Sequence, residues 1–166
     1  MFNDIFNKKD MIKLQTLLKQ NNQTITTAES CTGGLISSMI TNVSGSSSIF
    51  KGSVVTYCNE IKEQELNVRK DTMIKFGAVS KETVKEMLDA VVLKFNADFA
   101  IAVSGVAGPN GGTKDKPVGT VVIGVLYKNI YEDISIYHFN GDREEVQIQA
   151  AKTALKRNLE ILLQNS

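Results

Sequence analysis

Apolar residues recur along this chain with two periods. Between residues 8 and 21, Met11, Ile12, Leu14, Leu17 and Leu18 fall three and four apart, with lysines and glutamines between them. That spacing predicts an amphipathic opening helix. The β-branched run TITTA (24–28) predicts a short strand, and ESCTGG then breaks the pattern. LISSMITNV resumes it as a helix, GSSS (45–48) reads as a loop, and SVVTY (53–57) predicts a second strand. Residues 59–67 and 70–76 predict short helical pieces. Ser80, with Glu82 in the turn after it, is an N-cap for a helix running to about Lys94. DFAIAVS (98–104) is almost continuously apolar, as a buried strand is. TVVIGVLY (120–127) and IYEDISIYHF (130–139) flank Lys128-Asn129 as a hairpin. Residues 142–164 predict a long closing helix with Val146, Ala150, Leu155, Leu159 and Leu162 on one side.

This order predicts an α/β fold. The first three strands should be parallel, joined by right-handed crossovers, and the hairpin should make the sheet mixed. Helices on both faces would complete a three-layer α/β/α sandwich with a mixed, mostly parallel sheet. No linker, repeat or low-complexity segment divides the chain, so a single domain is expected over 1–166.

Composition narrows the chemistry. A net charge of +1 gives no broad field for nucleic acid or a membrane surface. No apolar run approaches the length of a membrane span, and MFNDIFNKKD lacks the order of a signal peptide, so the expected location is the cytoplasm. Cys31 and Cys58 have no partners at ligand spacing, so neither a disulfide framework nor a metal site is expected. The one histidine, His138, lies in a strand-like run, so a serine nucleophile here would need another base.

Three irregular segments follow the three expected parallel strands. In an open α/β sheet, ligands bind outside the carboxyl ends of the strands, so these segments should share one edge. Ser30 stands at a strand-to-helix junction, where free N–H groups at the helix start suit a tetrahedral oxyanion. Gly33 and Gly34 allow close approach to the backbone. A plain N-cap is the simpler reading of Ser30 or Thr32. Lys62, five residues past Tyr57, can serve as a base if a dry site keeps it neutral. An ordinary surface lysine is the simpler reading. Ser46, Ser47 and Ser48 read as a polar turn or as auxiliary hydroxyls. The run from Gly105 through Ala107, Gly108, Gly111 and Gly112 can cradle an anion with its N–H groups, although it has neither a Walker ending nor dinucleotide spacing. Asp142 should cap the last helix, and Arg143 is a first-turn residue or an anion ligand.

Taken in order, TTAESCTGG, GSSSIFKGSVVTYCNEIK, GAVS, SGVAGPNGGTKDKPVGTV and FNGDRE closely resemble the C-terminal domain of the competence/damage-inducible CinA family, over about residues 8–163. The stand-alone form of this domain is a nicotinamide-nucleotide amidase. The resemblance implies hydrolysis of nicotinamide mononucleotide without metal or other cofactor, in a homo-oligomer, commonly a dimer. Carried onto this sequence it implies Ser30 as nucleophile and Lys62 as base, with Tyr57 and Ser47 as auxiliary hydroxyls. Thr32, Gly33, Gly34, Gly105, Ala107, Gly108, Gly111 and Gly112 are the expected substrate-binding residues. Cys58 stands where relatives often carry serine. A nucleotide-binding module without turnover, or an amidase for another small carboxamide, are the alternatives.

Overall fold

A computed structural model describes residues 1–165. Helix α1 (Lys8–Gln20) opens on a capping box in which Asn7 and Asp10 satisfy each other's backbone N–H groups. Strands β1 (Ile25–Glu29), β2 (Phe50–Val55), β3 (Phe99–Gly105), β4 (Thr120–Tyr127) and β5 (Tyr131–His138) form one sheet in the order β2-β1-β3-β4-β5. β1 pairs in parallel with both β2 and β3; β4 and β5 are antiparallel additions. The expected mixed α/β sheet is therefore present. β1 starts one residue later than TITTA suggested and runs through Glu29, which brings that carboxylate into the sheet instead of the following turn.

From β1 the chain crosses to β2 on one side, through α2 (Leu35–Thr41), and then returns over β1 to β3. The return passes through α3 (Asn59–Leu66), α4 (Lys70–Phe76) and α5 (Lys81–Lys94). Right-handed crossovers in opposite directions put their helices on opposite faces. The carboxyl ends of β1 and β3 become a switch point, where such sheets open a crevice. The final helix, α6 (Arg143–Gln164), joins α1 and α2. The serine triplet, expected as loop, forms a single 3-10 turn over Ser46–Ser48.

The two faces are packed differently. Toward α1, α2 and α6 the sheet presents large groups, including Ile25, Phe99, Ile101, Val103 and Ile123. Toward α5 it presents Ala28, Ala100 and Ala102 against Val84, Met87, Leu88 and Val91. A Cβ at Gly124 would stand 2.5 Å from a Leu88 methyl, so α5 rests almost on the backbone of β4. Among the described residues, no helix is long and apolar enough to cross a membrane.

Candidate active site

Ser30 is the first residue past β1. Its N–H donates to the Val103 carbonyl at 3.0 Å, and its own carbonyl accepts from Gly33 N–H at 3.0 Å. The backbone passes through the left-handed region at Gly33 (φ 57°) and Gly34 (φ 97°), where glycine avoids the Cβ penalty, before α2 begins.

The start of α2 differs from the expectation. Its N-cap, Gly34, makes no side-chain cap, and neither Ser30 nor Thr32 fills that role. The fully buried Glu29 carboxylate does so instead. It accepts from Ile36 N–H (2.9 Å), Ser37 N–H (3.0 Å), the Ser37 hydroxyl and the Thr32 hydroxyl (2.8 Å). A negative group at a helix N-terminus satisfies both the orphan donors and the dipole. The first-turn donors expected to meet an oxyanion are therefore taken. Thr32 faces Glu29 with its hydroxyl, inward from the cleft. The N–H groups of Cys31 and Thr32, within the turn itself, donate to no backbone carbonyl among the described residues.

Lys62 approaches from the neighbouring strand. β2 leads into Thr56, whose N–H donates to the Glu29 carbonyl at 2.8 Å, and α3 starts three residues later. Lys62 lies in the first turns of α3 and is 2% exposed. Its Nζ stands 3.1 Å from Ser30 Oγ and 2.9 Å from the Thr56 carbonyl oxygen. Burial pushes its pKa below the usual lysine range, partly opposed by Cys58 and Cys31. Burial also pushes the Cys31 thiol up to about 12, so this neighbour of Ser30 stays protonated near neutrality and is a poor nucleophile.

Ser30 opens on a cleft of about 290 Å³, walled by Tyr57, Gly105, Ala107, Gly108, Gly111 and Arg143 among others. Arg143 is the feature that sequence reasoning undervalued. Asp142 caps α6 as expected, in a capping box with Glu145. The next residue reaches back, and its guanidinium donates to the Gly108 carbonyl (2.7 Å) and to the Tyr57 hydroxyl. The Tyr57 hydroxyl thus partners Arg143, with no hydrogen bond to Ser30 or Lys62. Gln147, one turn along α6, donates to the Cys31 carbonyl at 2.8 Å and ties the helix to the turn that carries Ser30.

Other expected residues lie elsewhere. Gly33 and Gly34 border an adjoining depression with Gln147, next to the cleft that holds Ser30. Gly112 packs under Val118, whose N would meet a Cβ there at 2.8 Å, so its smallness serves loop packing. Ser47 is exposed and lies at the far end of the sheet. It precedes β2, and Ile49, two residues on, bonds Ile25 at the start of β1. Five residues of strand, about 16 Å, separate that end from Ser30. His138 is on β5 and contacts Thr120. Among the described residues, no group of three or more His, Cys, Asp or Glu is placed to hold a metal ion.

The sequence profile of the CinA C-terminal domain matches residues 8–162. The chain belongs to the CinA C-terminal domain family. Curated CinA-like proteins of Thermotoga neapolitana and Endomicrobium trichonymphae are 46% and 50% identical to it over 140 and 139 residues, each match covering 84% of this chain. The match takes up 34% and 32% of those proteins, so this chain spans about a third of the curated CinA-like relatives' length. Among solved structures, the competence damage-inducible protein A (ComA) of Klebsiella pneumoniae superposes with a TM-score of 0.91 at 33% identity, covering 95% of this chain and 98% of that one. The competence/damage inducible protein CihA of Agrobacterium tumefaciens gives 0.89 at 35% identity, covering 94% of each. The CinA C-terminal fold thus extends over nearly all of this chain.

Proposed function

We propose that the protein is a nicotinamide-nucleotide amidase that hydrolyses nicotinamide mononucleotide to nicotinate mononucleotide and ammonia, a step of pyridine-nucleotide recycling in the cytoplasm. The observation that carries this reading is the buried contact of 3.1 Å between Lys62 Nζ and Ser30 Oγ. A lysine enclosed in this way is easily kept neutral, and neutral lysine can take a serine proton.

The reaction begins with transfer of the Ser30 proton to Lys62 as Oγ bonds to the carboxamide carbon. The pyridinium charge of the nucleotide makes that carbon electron-poor. The N–H groups of Cys31 and Thr32, which donate to no backbone carbonyl, hold the oxyanion, and each such donor is worth ~3 kcal/mol of barrier. Lys62 then gives its proton to the departing nitrogen, and ammonia leaves. Water, losing a proton to Lys62, attacks the nicotinoyl ester of Ser30; the C–Oγ bond breaks, Lys62 returns the proton to Ser30 Oγ, and the acid leaves. Arg143 and the loop through Gly105, Ala107, Gly108 and Gly111 take the ribose phosphate, because guanidinium and loop N–H groups suit that anion.

Release of ammonia and nicotinate mononucleotide is to be measured with wild type and Ser30→Ala, alongside nicotinamide and its riboside. Release by wild type alone, with preference for the mononucleotide, supports the reading. A preference for another carboxamide changes the substrate. Binding without release by a folded wild type makes the protein a nucleotide-binding module.

A further inference from the structure

The residues on either side of the nucleophile are joined to each other. Thr32 Oγ1 donates to Glu29 Oε1 at 2.8 Å, bridging the positions just before and two after Ser30. Glu29 is 0% exposed and Thr32 3%. The carboxylate itself is anchored, because β1 holds its backbone and Ile36 and Ser37 hold its oxygens. The backbone of the turn is held by Ser30 N–H on the Val103 carbonyl, Gly33 N–H on the Ser30 carbonyl, Leu35 N–H on the Thr32 carbonyl and the Gln147 amide on the Cys31 carbonyl. Only the Thr32 hydroxyl connects the second half of the turn to the anchored carboxylate.

We propose that the Thr32–Glu29 hydrogen bond is the positioning element of the nucleophile turn, holding Ser30 Oγ against Lys62 and keeping the Cys31 and Thr32 N–H groups free for the oxyanion. Glu29 contributes twice. It anchors the turn, and by occupying the end of α2 it leaves oxyanion binding to the turn's own amides. Neither side chain touches substrate. The inference rests on Ser30 being the nucleophile, as proposed above. A misplacement of about 1 Å in such a frame costs on the order of a hundredfold in rate.

The test compares Thr32→Val, Thr32→Ser and Ser37→Ala by two readouts. One is the rate at which a fluorophosphonate labels Ser30; the other is kcat and KM for ammonia release. Thr32→Val is expected to slow labelling and kcat by at least about tenfold, with KM changed less than about twofold. The midpoint of the rise of labelling with pH should stay where wild type has it, since Lys62 is untouched. Thr32→Ser restores the hydroxyl and should recover labelling to within about threefold of wild type. Ser37→Ala removes a bond to the same carboxylate but not the link across Ser30, and should stay within about threefold. Thr32→Ala is run beside Thr32→Val, so that a folding failure of one variant does not end the test. Labelling of a folded Thr32→Val or Thr32→Ala at the wild-type rate overturns the proposal. So does failure of Thr32→Ser to recover, or an equal loss in Ser37→Ala. Labelling of wild-type Ser30 without ammonia release defeats the substrate assignment alone and leaves the comparison of variants readable. Absence of wild-type labelling defeats the nucleophile assignment and this inference with it.

Discussion

The turn that carries Ser30 and the glycine-rich loop across the cleft are built in opposite ways. Ser30, Cys31 and Thr32 are all at most 6% exposed, and the turn is tied to β3, to α2 and to α6. The loop is fastened at its base, where Val106 N–H donates to the Thr120 carbonyl and Gly119 N–H to that of Val106, each at 2.8 Å. Beyond Gly108 it is exposed as far as Asp115, and its outer part is steadied by side chains, with Lys116 donating to the Phe76 carbonyl and Arg143 to Gly108. On the proposed function, bond-making geometry sits on the rigid side and ligand contact on the adaptable one, a division that lets a pocket change without disturbing its chemistry.

The sharpest break of this division is at Lys62. Lys62→Arg and Lys62→Met should each lower turnover by about a thousandfold or more, since neither side chain can act as a base near neutral pH. Lys62→Met should also raise stability at neutral pH, by on the order of 1 kcal/mol, because a buried amine is replaced by an apolar group of similar length. The sign follows from the lowered pKa. The unfolded lysine holds a proton over a range where the folded one has lost it, so wild-type stability rises with pH through that range. The advantage of Lys62→Met should shrink toward the unfolded lysine value, near pH ~10.4. Thermal melts from pH 6 to 10 read this directly, and a constant advantage would count against a titrating Lys62. For the same reason wild-type kcat should climb with pH along a limb whose midpoint lies below the ordinary lysine range; a flat profile would contradict the base assignment.

Arg143→Ala attacks the adaptable side. It frees the Gly108 carbonyl and the Tyr57 hydroxyl together, and should raise KM by about tenfold with a smaller effect on kcat. Arg143→Lys should not restore it, because an ammonium lacks the planar fork that spans both acceptors. Steady-state kinetics of the two variants decide whether Arg143 governs binding; a loss confined to kcat would move it to the rigid side of the division. Tyr57→Phe removes only one of those acceptors, at a residue 57% exposed, and should cost about threefold. Ser47→Ala should change activity by less than about twofold, given its place at the other end of β2. A loss beyond about tenfold would mean that Ser47 reaches the cleft of a second copy.

The element order was legible because each element announces itself locally. The β-branched strand, expected at 24–28 and found at 25–29, and the Ser80 and Asp142 caps of α5 and α6, which stand where expected, depend on neighbours in sequence. Parallel pairing of β1, β2 and β3 followed from the alternation of strands and helices. Residues whose role depends on distant contacts were less legible. Lysine is ordinarily a surface residue, and nothing near Lys62 in sequence reveals that α3 tucks it behind Ser30; resemblance to a family had to supply that assignment. Arg143 reads as a first-turn residue until α6 is seen to start at the carboxyl edge of the sheet. Glu29 was read as part of a turn, because a one-residue change in the end of β1 decides whether its carboxylate points at a helix. Ser47 shows what topology adds to a motif. A residue that precedes β2 must lie at the opposite end from one that follows β1 when the two strands are parallel, so the topology itself separates it from Ser30.

The carboxylate at the head of α2 also sets a clock. Amide protons in a helix's first turn usually exchange with solvent quickly, because nothing in the protein holds them. Those of Ile36 and Ser37 are held by a group with no exposure at all. Their exchange with deuterium should therefore wait for β1 and α2 to separate, an opening that draws on the core of the domain. The short helix behind Ser30, seven residues long and without a conventional cap, would then exchange on the timescale of the sheet's interior.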